Sequence, residues 1–341
     1  MKSNLLTNTV NDMTRPDTKL RATVLGCGSV GLAVAATFAL AGAEVTVLAR
    51  RTAIQQLRQN GITVTGVTGD HHVEPQRLKV SDAENPEPED INCDFLIVAT
   101  KAYQARDALY SLMQRMGTTA ALRAVLLLQN GWGSAQEVRD ILPVHVGIFS
   151  SIMMIGIERR TPTHVNINVQ ASPIRVGTLF ASDSIDMKAA VERAQAGFLP
   201  MVYDDHVEPA ILNKFLFNTC LNALGALTKM TYGELVTNAH TRHLIAQMAD
   251  ETIKVIQVER GLTLAENGVE YLEKFLTPLV IPKGAAHRSS MLQDVEAGRR
   301  TEIDYLNGAV VRMGQSHGIA TPFNDVISRL IRARETGGTA A

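Results

Sequence analysis

The sequence predicts an α/β domain of the Rossmann type that binds a dinucleotide, followed by an all-helical domain. In the first half, short apolar segments typical of buried strands alternate with helices, and the first such unit occupies residues 21–48. Beyond His206 the strand pattern nearly disappears and helical periodicity dominates. We therefore predict a flexible tail at 1–20, a nucleotide-binding domain at 21–205 and a helical substrate domain at 206–335.

The composition is that of an ordinary globular protein and argues against several classes of function. The chain has 341 residues, 45% of them hydrophobic, and its 33 Lys and Arg residues nearly balance its 34 Asp and Glu residues. This balance argues against binding to nucleic acid or to a membrane surface. The three cysteines lie far apart, which favours neither a disulfide framework nor a metal site. Because the N-terminus lacks the apolar core of a signal peptide and no apolar run is long enough to span a bilayer, we expect a cytoplasmic protein.

The cofactor site begins in the glycine turn GCGSVG, which follows the predicted strand Arg21–Leu25. Gly26 permits the tight turn, Gly28 lets the backbone approach a pyrophosphate, and Gly31 lets the following helix pack closely on the strand. An ordinary tight turn is the alternative, but the strand and helix on either side favour dinucleotide binding. We assign the whole turn to the cofactor, namely Gly26, Cys27, Gly28, Ser29, Val30 and Gly31.

The end of the second predicted strand indicates which dinucleotide is bound. NAD sites usually place an Asp or Glu there to hold the ribose 2′-hydroxyl. This chain has Arg50 and Arg51 instead, and guanidinium groups suit a 2′-phosphate. The alternative is that both are solvated surface arginines. We expect NADP(H), with Arg50 at the phosphate.

Polar residues also follow two later strands, in the segments KAYQ and QNGWG. Ligands of open parallel sheets bind at the carboxyl ends of the strands. Asn130 is therefore a candidate contact for the nicotinamide carboxamide or ribose, and Lys101 could reach the cofactor or the substrate. Taken alone, Lys101 is more typical of a surface lysine at the start of a helix.

A stripe of polar side chains runs along the otherwise apolar helix predicted over 207–230. Lys214, Asn218 and Asn222 are spaced four apart, so they share one face of the helix. An ammonium and two carboxamides in an apolar setting are costly unless partners satisfy them. We therefore expect this stripe to hold the substrate.

Further helices are predicted over 233–260, 289–297 and 301–317. Thr301 and Asp304 have the spacing of a capping box, which would place Glu302 in the first turn of its helix. There it could complement the helix dipole or act in catalysis, and the spacing favours neither role.

Taken together, these segments resemble the ketopantoate reductase (2-dehydropantoate 2-reductase) family over residues 21–330. The markers are GCGSVG at 26–31, KAYQ at 101–104, QNGWG at 129–133, NKFLFNTCLNAL at 213–224, SSMLQD at 289–294 and RTEIDYLNG at 300–308. The resemblance implies that Lys214 is the catalytic lysine and that Glu302 is the acidic partner of the site, in contact with either the substrate or Lys214. It also implies substrate ligands at Asn218, Asn222 and Ser290, and cofactor contacts at Arg50, Lys101 and Asn130.

The implied activity is NADPH-dependent reduction of 2-dehydropantoate to pantoate in pantothenate and coenzyme A biosynthesis, with Lys214 as the general acid. One alternative is reduction of another 2-oxo or 3-hydroxy acid, since 3-hydroxyacid dehydrogenases share the Lys-x-x-x-Asn step that Lys214 and Asn218 would match. A non-catalytic NADPH sensor is an alternative of a different class. The sequence leaves the oligomeric state open, with a homodimer as one option.

Overall fold

The computed structural model describes residues 19–115, 122–180 and 185–337. The predicted tail at 1–20 lies outside these residues except for its last two. The chain divides into two compact units. The first comprises the described parts of residues 1–100, 107–128 and 138–205, and the second comprises those of 101–106, 129–137 and 206–341.

The strands belong to the first unit. They are β1 (Arg21–Leu25), β2 (Glu44–Ala49), β3 (Ile62–Gly66), β4 (His71–Val73), β5 (Leu78–Asp82), β6 (Phe95–Val98), β7 (Ala124–Leu127), β8 (Gly147–Ile152), β9 (Ile155–Thr161), β10 (His164–Gln170), β11 (Ile174–Gly177) and β12 (Met201–Tyr203). Eight of them form a sheet in the order β12-β11-β8-β7-β6-β1-β2-β5. All neighbours in this sheet are parallel except β8 and β11. The central strands β6 and β7 are buried along their whole length, as expected for a parallel sheet covered on both faces.

A second, four-stranded sheet has the order β4-β3-β10-β9. The helices that begin before residue 200 are α1 (Ser29–Leu40), α2 (Arg51–Asn60), α3 (Ala102–Arg115), α4 (Ser134–Arg139) and α5 (Ile185–Ala194). Helix α1 contacts strands of both sheets, and its residues from Gly31 to Ala39 are all buried. This position explains why α1 is apolar all round instead of along one stripe.

The second unit is helical. It contains α6 (Val207–Thr228), α7 (Tyr232–Thr237), α8 (Ala239–Arg260), α9 (Gly268–Glu270), α10 (Ser290–Glu296), α11 (Asn307–Ser316) and α12 (Pro322–Gly337), and a π-helical segment over Tyr271–Val280 continues α9. Together with the mostly parallel sheet, these helices confirm the predicted fold class. Among the described residues, no helix is both long and apolar enough to cross a bilayer.

The structure differs from the sequence prediction in two helices of this unit. The single helix predicted over 233–260 is divided into α7 and α8. The side chain of Asn238 accepts hydrogen bonds from the backbone N–H groups of His240 and Thr241, and it therefore begins a new helix instead of continuing the old one. The sequence reading also missed α12.

Candidate active site

The GCGSVG turn joins β1 to α1 and has the geometry that a dinucleotide requires. Gly26 has a φ of +108°, which side chains rarely adopt. A Cβ on Gly31 would lie 1.9 Å from the carbonyl oxygen of Gly26, so the turn and the helix approach too closely for any other residue. A Cβ on Gly28 would meet nothing within 4 Å, and no side chain caps α1 at this residue. The start of α1 therefore fits a pyrophosphate.

The remaining residues of the turn would contact a cofactor through their backbone. Ser29 and Val30 are the first residues of α1. The Cys27 thiol turns toward β2, where it donates to the carbonyl oxygen of Leu48 at 3.3 Å. The first N–H groups of a helix have no partner within the helix, so those at the start of α1 suit an anion.

The two arginines after β2 have different surroundings. Arg51 forms an ion pair with Asp82 at 3.0 Å, and the hydrogen bond to Asp82 raises its pKa. Arg50 is exposed and precedes α2 as its N-cap residue. Arg50 is therefore the better placed of the two for a 2′-phosphate.

Arg159, at the end of β9, adds a second positive charge beside the glycine turn. Its guanidinium group donates to the carbonyl oxygens of Thr161 and Pro162 at 3.2 and 3.1 Å, which hold it in place. Burial raises the pKa of the Cys27 thiol to about 12, and the charges of Arg159 and Arg50 oppose this rise. The charges of Arg50 and Arg159 thus both act at Cys27, in the glycine turn of the first unit.

In the second unit, α6 carries the stripe of Lys214, Asn218 and Asn222. Asn218 is 5% exposed and Asn222 is 4% exposed, so this face of the helix lies inside the protein. Burial lowers the pKa of Lys214 to about 8, although the carboxylate of Glu302 opposes the shift. Lys214 therefore has a pKa close to neutral pH.

The predicted capping box around Glu302 is wrong. Asp304 does not turn back to Thr301, because its carboxylate accepts hydrogen bonds from the guanidinium group of Arg332, at 2.7 and 2.9 Å. Glu302 instead precedes a 3₁₀ turn over Ile303–Tyr305, and α11 begins only after that turn. Glu302 is thus not in the first turn of its own helix.

The Glu302 carboxylate instead lies at the start of α3. Its Oε1 accepts a hydrogen bond from the backbone N–H of Ala102 at 2.9 Å, and Glu302 is 9% exposed. The positive end of α3 therefore stabilises the carboxylate. Its charge acts on two ammonium groups, those of Lys101 and Lys214.

Lys101 is not an isolated surface lysine. Its Nζ lies 2.5 Å from Oδ2 of the buried Asp294, which also accepts from Arg299 at 3.0 Å. Burial disfavours the Lys101 charge, but Glu302 and Asp294 outweigh it and raise the pKa of Lys101. The ammonium of Lys101 therefore persists through neutral pH.

The two lysines consequently have different chemical properties although both lie under the influence of Glu302. Lys101 has a second carboxylate and keeps its proton. Glu302 opposes the effect of burial on Lys214 only in part, and the lowered pKa of Lys214, about 8, allows this lysine to lose a proton near neutral pH. Such a separation of pKa values is typical of sites that transfer protons.

The segment QNGWG is held by the 3₁₀ turn that follows Glu302. The backbone N–H of Trp132 donates to the carbonyl oxygen of Tyr305 at 2.9 Å. Gly131 has a φ of +94°, and a Cβ there would lie 2.2 Å from that oxygen. Asn130 directly precedes Gly131, where only glycine permits this close backbone contact. The contact therefore fixes the position of the Asn130 backbone after β7.

Ser289, the residue before Ser290, connects the start of α10 to α6. Ser289 accepts a hydrogen bond from Leu292 N–H at 3.1 Å and caps α10. The same hydroxyl donates to the carbonyl oxygen of Asn222 at 3.0 Å. Ser290, the first residue of α10, follows directly after this contact and is exposed.

The sequence reasoning missed three residues near these groups. Asp294 ends the SSMLQD marker, but nothing in its spacing pairs it with Lys101. Tyr232 donates its hydroxyl hydrogen to Asn222 Oδ1 at 2.9 Å, a contact between residues ten positions apart that no helical repeat predicts, since a turn lies between them. Arg159 lies in a strand of the second sheet, far in sequence from the glycine turn.

Comparisons with known proteins show a family to which the whole of the two-part fold corresponds. Residues 22–179 match the family model described as Ketopantoate reductase PanE/ApbA, and residues 206–335 match its C-terminal counterpart. The chain is 31% identical to the 2-dehydropantoate 2-reductase of Aquifex aeolicus, over 92% of this chain and 96% of that protein. It is 29% identical to the enzyme of the same name from Archaeoglobus fulgidus, over 93% and 98%.

Solved structures share the fold. A PanE/ApbA family ketopantoate reductase from Ralstonia eutropha is 24% identical with a TM-score of 0.79, covering 94% of this chain and 100% of that one. D-mandelate dehydrogenase, solved with NADH and anilino(oxo)acetate, is 22% identical with a TM-score of 0.81 and the same coverage. At these identities the likeness concerns the fold alone.

Proposed function

The chain belongs to the ketopantoate reductase family and is a dinucleotide-dependent oxidoreductase, and we propose that it reduces 2-dehydropantoate to pantoate with NADPH, as a step of pantothenate synthesis. The observation that carries this proposal is the titratable Lys214 beside Glu302, on one helix face with Asn218 and Asn222.

Reduction of the substrate adds a hydride to C2 and a proton to the C2 oxygen, so that the carbonyl group becomes a hydroxyl group. NADPH, when bound, supplies the hydride. The Lys214 ammonium donates a hydrogen bond to the carbonyl oxygen and stabilises the negative charge that develops there. It then gives its proton to that oxygen, a transfer favoured by a pKa of about 8.

The neighbouring charges support this step in separate ways. Glu302 raises the pKa of Lys214 against the effect of burial and so keeps the lysine protonated at neutral pH. Lys101 retains its charge through Asp294 and can attract an anionic substrate. The side chains of Asn218, Asn222 and Ser290 are suited to the substrate carboxylate and hydroxyl.

The preference for NADPH rests on the charges beside the glycine turn. Arg50 is exposed at the end of β2, and Arg159 is held in the same unit by two carbonyl oxygens. Arg51 is paired with Asp82 and contributes less. Among the residues that the structure describes, no carboxylate forms an ion pair with Arg50 or Arg159, and two such guanidinium groups suit a phosphate dianion.

A homodimer is part of the proposal. A ketopantoate reductase from Staphylococcus aureus, described as dimeric, is 20% identical with a TM-score of 0.69 and covers 94% of this chain. Light scattering on the purified protein distinguishes a dimer from a monomer of 37.0 kDa.

The test is to follow NADPH absorbance with the purified protein and a panel of acids. The panel contains 2-dehydropantoate, 2-oxoisovalerate, pyruvate, phenylglyoxylate and a 3-oxo acid. Fast oxidation with 2-dehydropantoate and slow oxidation with the others is the expected result. Faster oxidation with phenylglyoxylate or with the 3-oxo acid would show that this acid, and not 2-dehydropantoate, is the preferred substrate. Tight NADPH binding with no turnover would favour a non-catalytic cofactor sensor.

A further inference from the structure

The ring of Tyr232 is fixed by its surroundings before any ligand binds. Thr231 and Glu234 form a capping box at the start of α7, and Tyr232 is the first residue after the cap. Its backbone N–H donates to the carbonyl oxygen of His287 at 3.0 Å. Its ring meets that of Phe217 edge-on at 5.4 Å and lies 5.2 Å from that of His287. These contacts leave the hydroxyl group one direction in which to point.

That hydroxyl group donates to Oδ1 of Asn222 at 2.9 Å. Tyr232 is 7% exposed and Asn222 is 4% exposed, so water competes little for either group. Burial also raises the pKa of Tyr232, which keeps the phenol protonated and therefore a donor. Because Oδ1 already accepts this hydrogen, the Asn222 amide presents its nitrogen, with two N–H donors, in the other direction.

We propose that Tyr232 is a positioning residue that makes Asn222 a donor toward an acceptor oxygen of the substrate, either the carboxylate or the terminal hydroxyl group. This inference rests on the proposed function and deepens it. A flipped amide would set the phenol hydrogen against the amide nitrogen instead of an oxygen, which a buried site disfavours. The amide orientation is thus selected by Tyr232, and a substrate with an acceptor oxygen at this point is preferred.

The test replaces Tyr232 with phenylalanine, which keeps the ring and its packing and removes only the hydroxyl group. We expect KM for 2-dehydropantoate to rise about tenfold, the effect of one lost hydrogen bond, with kcat within about twofold of the wild type. KM for NADPH should stay unchanged, since the Tyr232 side chain contacts Asn222, Phe217 and His287, and none of these is assigned to the cofactor. Calorimetric titration of the NADP⁺-loaded protein with pantoate measures the same loss of affinity as a dissociation constant, and this measurement does not depend on turnover.

Two substrates distinguish the oxygen that is recognised. If Asn222 binds the carboxylate, Tyr232→Phe should weaken the binding of 2-dehydropantoate and of 2-oxoisovalerate equally, because both carry a carboxylate. If Asn222 binds the terminal hydroxyl group, only the binding of 2-dehydropantoate should be weakened, because 2-oxoisovalerate has no such group.

Two controls separate positioning from general destabilisation. Tyr271 is a second buried tyrosine of this unit, 5% exposed, and Tyr271→Phe should leave KM unchanged. In an Asn222→Ala background, Tyr232→Phe should have no further effect on substrate affinity, because the residue through which it acts is gone.

Three results would overturn the inference. They are an unchanged substrate affinity in Tyr232→Phe, equal losses with and without Asn222, or a parallel fall in kcat and NADPH affinity. Failure of the wild type to reduce any 2-oxo acid would refute the proposed function instead, and the calorimetric comparison would still decide the role of Tyr232. If the wild type also binds no such acid, both fall.

Discussion

Replacing Glu302 by glutamine should move the pH dependence of catalysis toward acid. Glutamine keeps an oxygen that can accept from Ala102 N–H, the hydrogen bond observed at 2.9 Å, but it removes the negative charge. That charge opposes the effect of burial on Lys214. Without it, the pKa of Lys214 should fall below its value of about 8.

The magnitude follows from the charge balance. With a pKa of about 8, roughly nine in ten Lys214 side chains are protonated at pH 7. Loss of one nearby opposite charge lowers a pKa by about one to two units, which leaves roughly a half to a tenth of them protonated at that pH. Since only the ammonium can donate the proton, kcat/KM at pH 7 should fall by about two- to tenfold and recover on acidification.

The assay is kcat/KM for 2-dehydropantoate at saturating NADPH, from pH 5 to pH 10. In the wild type, activity should be highest below pH 8 and should decrease about tenfold per pH unit above it, because the pKa of Lys214 is about 8. In Glu302→Gln the same decrease begins at lower pH. Asp304→Asn is the matched control, because it removes a carboxylate two positions away that pairs with Arg332 on the surface, and its profile should match the wild type. A Glu302→Gln profile that breaks at the wild-type pH would refute the assigned electrostatic role.

The remaining predictions concern single side chains. Lys214→Ala should reduce kcat by about 100-fold or more with NADPH affinity and melting temperature preserved, and retained turnover would exclude it as the acid. Arg50→Ala should raise KM for NADPH at least about tenfold and should change KM for NADH little. The control Arg51→Ala should change KM for either dinucleotide little. Equal effects of Arg50→Ala on both KM values would count against a phosphate contact. Gly31→Ala should lower the melting temperature and NADPH affinity together, because its Cβ would lie 1.9 Å from a backbone oxygen, and an unchanged melting curve would contradict the close packing of α1.

Some parts of this protein follow from local sequence. The order of strand, glycine turn, helix and strand at residues 21–48 depends on backbone sterics and on burial of neighbouring residues, and both are encoded within a few positions. The stripe of Lys214, Asn218 and Asn222 likewise follows from the helical repeat alone. The fold class and the face of α6 that carries polar groups were therefore predictable.

The sequence prediction was wrong at two places where another interaction outweighs the predicted one. Thr301 and Asp304 have the spacing of a capping box, but Arg332 binds the Asp304 carboxylate and the cap does not form. The helix predicted over 233–260 is divided at Asn238. The side chain of Asn238 accepts hydrogen bonds from two backbone N–H groups at the start of α8, and this cap ends α7 and begins α8. The first interaction joins residues 28 positions apart, whereas the second is an N-cap contact within three residues that outweighs the helical periodicity.

The chemical character of the site was decided only by the tertiary structure. Glu302 and Ala102 are 200 positions apart, and Lys101 and Asp294 are 193 apart, yet each pair is in hydrogen-bond contact. A pKa depends on burial and on charges within a few ångströms, neither of which sequence separation reveals. The sequence by itself thus determined which groups the chain offers, whereas folding decided that Lys101 stays charged and that Lys214 can release its proton.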